Sequence, residues 1–267
     1  MNAFEIENLK CSYQHKEQAI VFIEKLEIPR GKLTVILGRS GSGKSTLIEA
    51  LGLMNNTIQS GKVEYHSPDG VLDLVHLWHN AKKIATIRKD YFSFIFQDDY
   101  LMPYYTCREN MLIARLIQGE ITPALASEKL EKPMNSLSLS GNGLQKRFPF
   151  QVAGGQKQRL SFTRAVLKNF DVLFGDEPTG NLDNKSSIDL LDFIQEIIQN
   201  NGCSAIIVSH NIELSVEKAD KIIVLTPADK KGALFSMKAE NVFCRNTTSE
   251  WDEGYKKFLV DRIKLIL

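Results

Sequence analysis

Gly38-Arg39-Ser40-Gly41-Ser42-Gly43-Lys44-Ser45 fits the spacing G-x-x-x-x-G-K-[ST] and joins two segments of different periodicity. Upstream, Leu33 to Leu37 is a short apolar run of strand character; downstream, Lys44 toward Leu53 carries its apolar residues at helical spacing. Strand, glycine turn and helix in that order form a cradle for phosphates. The glycines let successive backbone N–H groups curl around the oxygens, and the helix N-terminus adds its positive end. Lys44 reaches the terminal phosphate oxygens, the Ser45 hydroxyl suits Mg²⁺, and Thr46 is placed to hold the first phosphate.

Working outward, Phe4 to Leu9 and Ile20 to Ile28 read as strands before the motif. After it come a turn at Ser60-Gly61, strands at Lys62 to Tyr65 and Val71 to Val75, a helix over Asn80 to Lys89 and a β-rich run, Tyr91 to Phe96. From Thr106 to Asn169 the pattern is helical and more polar, which marks an inserted subdomain. Alternation then resumes: strand Val172 to Phe174, helix Ser186 to Asn200, strand Ala205 to Ser209, helix Ile212 to Ala219 and strand Lys221 to Leu225. Strands alternating with helices predict an α/β fold with a mainly parallel core sheet, beside which the early strands make an antiparallel β subdomain. The expected division is a catalytic core with its β subdomain over 1–105 and 170–226, a helical subdomain over 106–169, and an edge strand plus amphipathic helix over 227–267.

Val172-Leu173-Phe174-Gly175-Asp176-Glu177 ends an apolar strand in two adjacent carboxylates. Alone, such a pair reads as a turn or helix cap. Downstream of a phosphate cradle, Asp176 suits the shell of Mg²⁺ and Glu177 suits a general base acting on an attacking water.

With 267 residues and 43% hydrophobic content the chain can bury a large core, and a formal charge of +1 supplies no basic field of the kind nucleic acid needs. Cys11, Cys107, Cys203 and Cys244 show no C-x-x-C pair, so reduced thiols are expected rather than disulfides or zinc. His76-Leu77-Trp78-His79 lacks a third ligand and reads as a solvated segment. The opening MNAFEIENLK resembles no secretory signal, and no run approaches the ~18 residues that span a bilayer. A cytoplasmic location is expected, with any membrane role borrowed from another chain.

Together these residues resemble the ATP-binding-cassette ATPases, over about Phe4 to Leu225. The resemblance implies ATP and Mg²⁺ as ligands and assigns several further residues. Gln97 resembles the family's Q-loop glutamine, which touches Mg²⁺ or water and senses the membrane partner. Val152-Ala153-Gly154-Gly155-Gln156 resembles the signature motif, Asn181-Leu182-Asp183 the D-loop, His210 the switch histidine and Tyr13 the adenine-stacking aromatic. On its own, Gly-Gly-Gln at a helix start is a cap whose N–H groups can also grip an anion. In the family one subunit's signature covers ATP held by the other, which implies a second ATPase subunit, identical or not. The signature departs from the family at Ala153, where serine is common, and at Val152, where leucine is usual.

Asp176 to Asp183, with Phe96-Gln97, Leu101-Met102-Pro103 and Glu109-Asn110, is similar to the lipoprotein-releasing, macrolide-exporter and cell-division branch. That likeness implies peripheral attachment at the cytoplasmic face of the membrane, driving export, extraction or transmembrane signalling. Integral membrane subunits would dock in a groove near Asp98 to Thr106, through Tyr100, Leu101, Met102, Tyr104 and Tyr105. The alternative is a soluble cassette that remodels a cytosolic assembly; a nucleotide sensor without hydrolysis conflicts with Glu177 and His210. The C-terminal helix, with Phe258, Leu259, Ile263, Ile266 and Leu267, is expected to pack on the chain's own fold, a membrane surface or partner being the other option.

Overall fold

In the computed structural model the described residues are 1–13, 20–119, 122–139, 141, 143–228, 234–245 and 252–267. The strands β1 (Asn2–Cys11), β2 (Val21–Pro29) and β3 (Leu33–Gly38) come first, the last running into helix α1 (Lys44–Leu51). The hairpin β4 (Ile58–Ser67) and β5 (Gly70–Asp73) leads to α2 (Ala81–Asp90) and β6 (Phe92–Ile95). Then follow α3 (Cys107–Gln118), α4 (Pro123–Ser136) and α5 (Gly154–Leu167). The pattern β7 (Val172–Asp176), α6 (Asn184–Asn201), β8 (Ser204–Val208), α7 (Ile212–Lys218), β9 (Lys221–Pro227) restores the alternation, and β10 (Phe235–Met237), β11 (Val242–Cys244) and α8 (Glu253–Ile266) end the chain.

The strand order is β5-β4-β1-β2-β10-β9-β3-β8-β7-β6. From β9 to β6 every pairing is parallel, and from β5 to β2 every pairing is antiparallel. The short β10 joins the two halves, parallel to β2 and antiparallel to β9, while β11 covers the other end of the same β9 edge. The expected parallel core with an antiparallel neighbour is therefore present, with α3, α4 and α5 as the helical insert between β6 and β7.

β3 shows why its sequence is apolar but for Thr34. It lies between β8 and β9 with both faces covered, and all six of its residues are buried. Leu33, Val35 and Leu37 enter one apolar cluster with α5 and α6, while Ile36 points into the other with α1, β1 and β2. The second cluster is centred on Phe4, Tyr65, Phe92 and Phe174, whose contacting ring centroids lie 4.9 to 6.2 Å apart. Beside it Asp171 accepts from the Tyr65 hydroxyl at 2.6 Å and pairs with Arg30.

Ser60-Gly61 is not a turn. It lies inside β4, where the register with β1 shifts between Glu7 and Lys10. Gly61 has φ +110 and a Cβ there would stand 2.6 Å from the Asn8 carbonyl oxygen, so glycine marks a bulge and a close backbone approach. After Pro227 two short strands appear rather than one edge strand. α8 packs its buried Leu259 and Ile263 into the core and pairs Lys264 with Glu213 of α7 at 2.6 Å, which is the self-packing option. Phe258 and Leu265 remain exposed on its outer side.

Candidate functional site

β3 ends at Gly38, and its neighbours explain the glycine. A Cβ would stand 2.6 Å from the Ser42 hydroxyl oxygen and 3.2 Å from the Leu225 carbonyl. Gly41 and Gly43 take left-handed conformations, φ +76 and +81, that bend the loop into the start of α1. Lys44 is buried, and its ammonium donates to the carbonyls of Gly38 at 2.9 Å and Arg39 at 3.0 Å, inside its own loop. Burial lowers its affinity for a proton, opposed by the nearby charges of Glu177 and Asp176. Thr46 shares a 3.1 Å hydrogen bond with the Tyr13 hydroxyl, so the aromatic stands against the far end of the loop with its ring half exposed.

Parallel pairing brings β7 to the same end of the sheet, one strand beyond β8. Asp176 is drawn above the ordinary carboxylate range by burial, which outweighs the hydrogen bond from Ser45. Its Oδ1 is buried without a hydrogen-bond partner. Glu177 follows with φ +49, a conformation that non-glycine residues avoid, and its N–H donates to the Val208 carbonyl at 3.1 Å. His210, just past β8, meets it: Nε2 lies 2.6 Å from Glu177 Oε1. Both line a cleft of about 460 Å³ with Thr179, Gly180, Ser209 and Asn211. Lys44, Ser45, Asp176, Glu177 and His210 thus form one connected cluster.

The other expected residues lie around it. Gln97 follows β6 and is exposed. Ala153 is the N-cap of α5; it offers no side-chain acceptor, and its own N–H donates to Gln156 Oε1 at 3.1 Å. Around Gly154 a Cβ would meet nothing within 4 Å, and at Gly155 only Leu182 at 3.9 Å, so this turn faces open space. No hydrogen bond among the described residues joins it to residues 38–46. Asp183 caps α6, accepting from the Ser186 N–H at 3.0 Å and from its hydroxyl at 2.7 Å, and the Ser186 hydroxyl keeps its carboxyl below the usual range.

Ser42, one of the loop residues the sequence brought forward, is fully buried with a hydroxyl that finds no partner. Sequence reasoning passed over Arg164, whose hydrogen bonds hold the segment after Gln97 and which does not stand out by residue type. The His76-His79 segment holds no ligand set; His76 bonds Asp73 at 2.9 Å. Among the described residues Glu5, Glu64 and His66 do gather, but Lys62 and Asn2 already engage the two carboxylates at 2.8 and 3.0 Å. No helix among the described residues is long and apolar enough to cross a membrane.

A glycine-rich loop between a central parallel strand and a helix, faced by a strand ending in paired carboxylates, defines an α/β phosphate-loop nucleoside triphosphatase. The sequence pattern of the ABC transporter family matches residues 24–180, and the chain belongs to that family as one of its ATP-binding, ATP-hydrolysing cassettes. It is similar to a lipoprotein-releasing system ATP-binding protein, LolD, of Zymomonas mobilis: 32% identical over 227 residues, covering 84% of this chain and 93% of that one. It is also 32% identical over 191 residues to the ABC transporter ATP-binding protein YtrE of Bacillus subtilis, covering 71% of this chain and 78% of that one. A 262-residue match at 30% identity to the macrolide export ATP-binding/permease protein MacB of Marinobacter nauticus covers 94% of this chain and 39% of the relative. Among solved structures, the dimeric ABC transporter cassette MJ0796 superposes with a TM-score of 0.74 at 22% identity, over 91% of this chain and 99% of that one, which establishes the shared fold.

Proposed function

We propose that this chain is the peripheral, Mg²⁺-dependent ATPase subunit of a membrane complex, driving export, extraction or transmembrane signalling by ATP-dependent closure of two such subunits at the cytoplasmic face. One observation carries the membrane reading. Directly after Gln97, one loop leaves Tyr100, Met102, Tyr104 and Tyr105 exposed, and an exposed apolar cluster of this kind marks a partner surface. The names of the relatives, a lipoprotein-releasing system and a macrolide exporter, support the same reading.

In the proposed cycle Lys44 leaves the carbonyls of Gly38 and Arg39 for the β- and γ-phosphate oxygens, exchanging two neutral acceptors for charged ones. Backbone N–H groups of residues 38–46 cradle the phosphates, and Tyr13 stacks on the adenine. Ser45, Asp176 and Gln97 would hold Mg²⁺, which supplies charge neutralisation at the phosphates; the partnerless Asp176 Oδ1 fits that ligand. Glu177 takes the proton of the attacking water. His210 keeps the Glu177 carboxylate aimed and reaches toward the γ-phosphate. The exposed turn Ala153 to Gln156, with Asp183 behind it, closes over the nucleotide held by the second subunit.

Replacing Glu177 by Gln tests both halves. Hydrolysis is expected to fall by about 10²- to 10⁴-fold, the usual worth of a general base, with ATP binding retained. Tagged Glu177→Gln protein held in ATP is then recovered from detergent-solubilised native membranes. An integral membrane protein in stoichiometric amount supports the proposal; purely soluble partners would replace it with a cytosolic remodelling role.

A further inference from the structure

Glu177 keeps its left-handed backbone, φ +49, only because its surroundings impose it. Two of the holds are backbone bonds. The Glu177 N–H donates to the Val208 carbonyl at 3.1 Å, and the Glu177 carbonyl accepts from the Gly180 N–H at 3.0 Å, closing residues 177–180 as a turn with Pro178 in its second position. A third hold comes from outside the sheet: Nε2 of Gln158, on α5, donates to the Pro178 carbonyl at 2.8 Å. Behind the turn the Pro178 ring rests on Gly175 of β7, where a Cβ would stand 3.4 Å from it.

Both partners of that third bond are out of water. Gln158 is 4% exposed and Pro178 is buried, and no other donor among the described residues reaches the Pro178 carbonyl. A buried carbonyl without a donor is costly, so loss of the Gln158 amide would turn the peptide after Pro178 toward water. The other end of the same carboxamide is left unsatisfied: Oε1 is buried with no hydrogen-bond partner. An apolar side chain of equal length would avoid that orphan acceptor. What the carboxamide contributes is therefore its N–H, delivered to one carbonyl. The helix face suits the task, for at Gly155, three positions earlier, a Cβ would meet Leu182 at 3.9 Å; the loop from 177 to 182 lies along this face of α5.

We infer that Gln158 is a positioning residue for hydrolysis: by holding the Pro178 carbonyl it keeps Glu177 in its left-handed conformation, with the carboxylate against His210 and facing the cleft. Gln158 does not line that cleft and acts only through Glu177. The inference rests on Glu177 as the general base and adds the side chain that holds it in place.

The test is a double-mutant cycle on the full chain, read by ATP hydrolysis with Mg²⁺, in single turnover for slow variants, and by binding of a fluorescent ATP analogue. Gln158→Met keeps the length of the side chain and removes the N–H. It is expected to lower kcat about ten- to hundred-fold, the range for a catalytic group displaced by about 1 Å. KM and analogue affinity are expected to stay within about two-fold, because the bonds of Lys44 within residues 38–46 do not involve Gln158. Added to Glu177→Gln, the same change is expected to alter the residual hydrolysis by less than about two-fold, as happens when one residue acts through the other. Gln158→Glu, of the same shape but unable to donate when ionised, carries the same expectations if the methionine variant does not fold. Equal losses on the parental and Glu177→Gln backgrounds, a raised KM in place of a lowered kcat, or unchanged turnover would each overturn the inference. Parental turnover by Glu177→Gln alone would instead remove Glu177 as the base, and the role of Gln158 with it.

Discussion

Ala153 opens α5 half capped. Gln156 folds its carboxamide back to the Ala153 N–H at 3.1 Å, but no hydroxyl at position 153 accepts the Gln156 N–H in return. Serine at this position would complete the reciprocal pattern S-x-x-Q, worth about 0.5–2 kcal/mol. Ala153→Ser is therefore expected to raise the melting temperature by a few degrees without nucleotide. It should also tighten the ATP-dependent dimer several-fold if the turn grips a partner's nucleotide. Thermal unfolding and light scattering with ATP measure the two effects. A rise in melting temperature alone would limit the hydroxyl to capping, and no change in either would remove the idea. At this scale the sequence was partly transparent. Motif spacing brought forward Lys44, Ser45, Asp176 and Glu177, the family resemblance added His210, and the fold gathers them. What spacing did not carry was the left-handed backbone of Glu177, which depends on the N–H held by Val208 from the neighbouring strand.

Among the elements, β4 is the one the local signals misread. Ser60-Gly61 has the composition of a turn, but its conformation is set by Asn8 of β1, which approaches from 52 to 53 positions away in the chain. Gly61→Ala should cost about 1–3 kcal/mol, since a Cβ would meet backbone at 2.6 Å and φ is +110. The expected result is a lowered melting temperature with ATP affinity intact, because the bulge stands apart from residues 38–46. An unaltered melting temperature would mean β1 and β4 can part there freely. The end of α5 gives an element-scale pH dependence. Burial draws the Lys168 ammonium down to about 8 from its ordinary 10.5, where it donates to carbonyls of Arg88 and Phe92 at the start of β6. The unfolded chain keeps that proton up to 10.5 while the folded chain releases it above about 8, so the fold gains stability as pH rises through this window. Lys168→Met removes the titration. Urea unfolding of both forms across the window should show the native protein gaining on the variant; parallel curves would refute the assignment.

The architecture of the whole molecule was readable because each parallel strand carries a mostly apolar run without the alternation of a half-exposed strand. β3, β8 and β9 are buried on both faces, and the helices between them carry capping residues such as Asp183 and Asn211. The insert was legible as helix but not in its attachments: Arg164 and Asn110 bind carbonyls, and carbonyls have no sequence signature. The short closing strands were equally hidden, since three-residue elements such as β10 are too brief to show a period.

That brevity has a thermal consequence. Between β10 and β2 the backbone seam is three residue pairs long, while behind it the rings of Phe4 and Tyr65, from the antiparallel strands, press on Phe92 and Phe174 from the parallel ones. Beside the Arg30–Asp171 pair and the Tyr65–Asp171 hydrogen bond, the joint is held by apolar contact, and that part of the attraction fades on cooling where hydrogen bonds do not. Tyr13 belongs to one side of the joint and residues 38–46 lean on the other. Chilling should therefore make the protein a poorer judge of the base before it becomes a poorer binder of phosphate. Titrated on ice, affinity for ATP is expected to drop more than affinity for inorganic triphosphate; an equal drop would mean that the rings do not govern how the two halves meet.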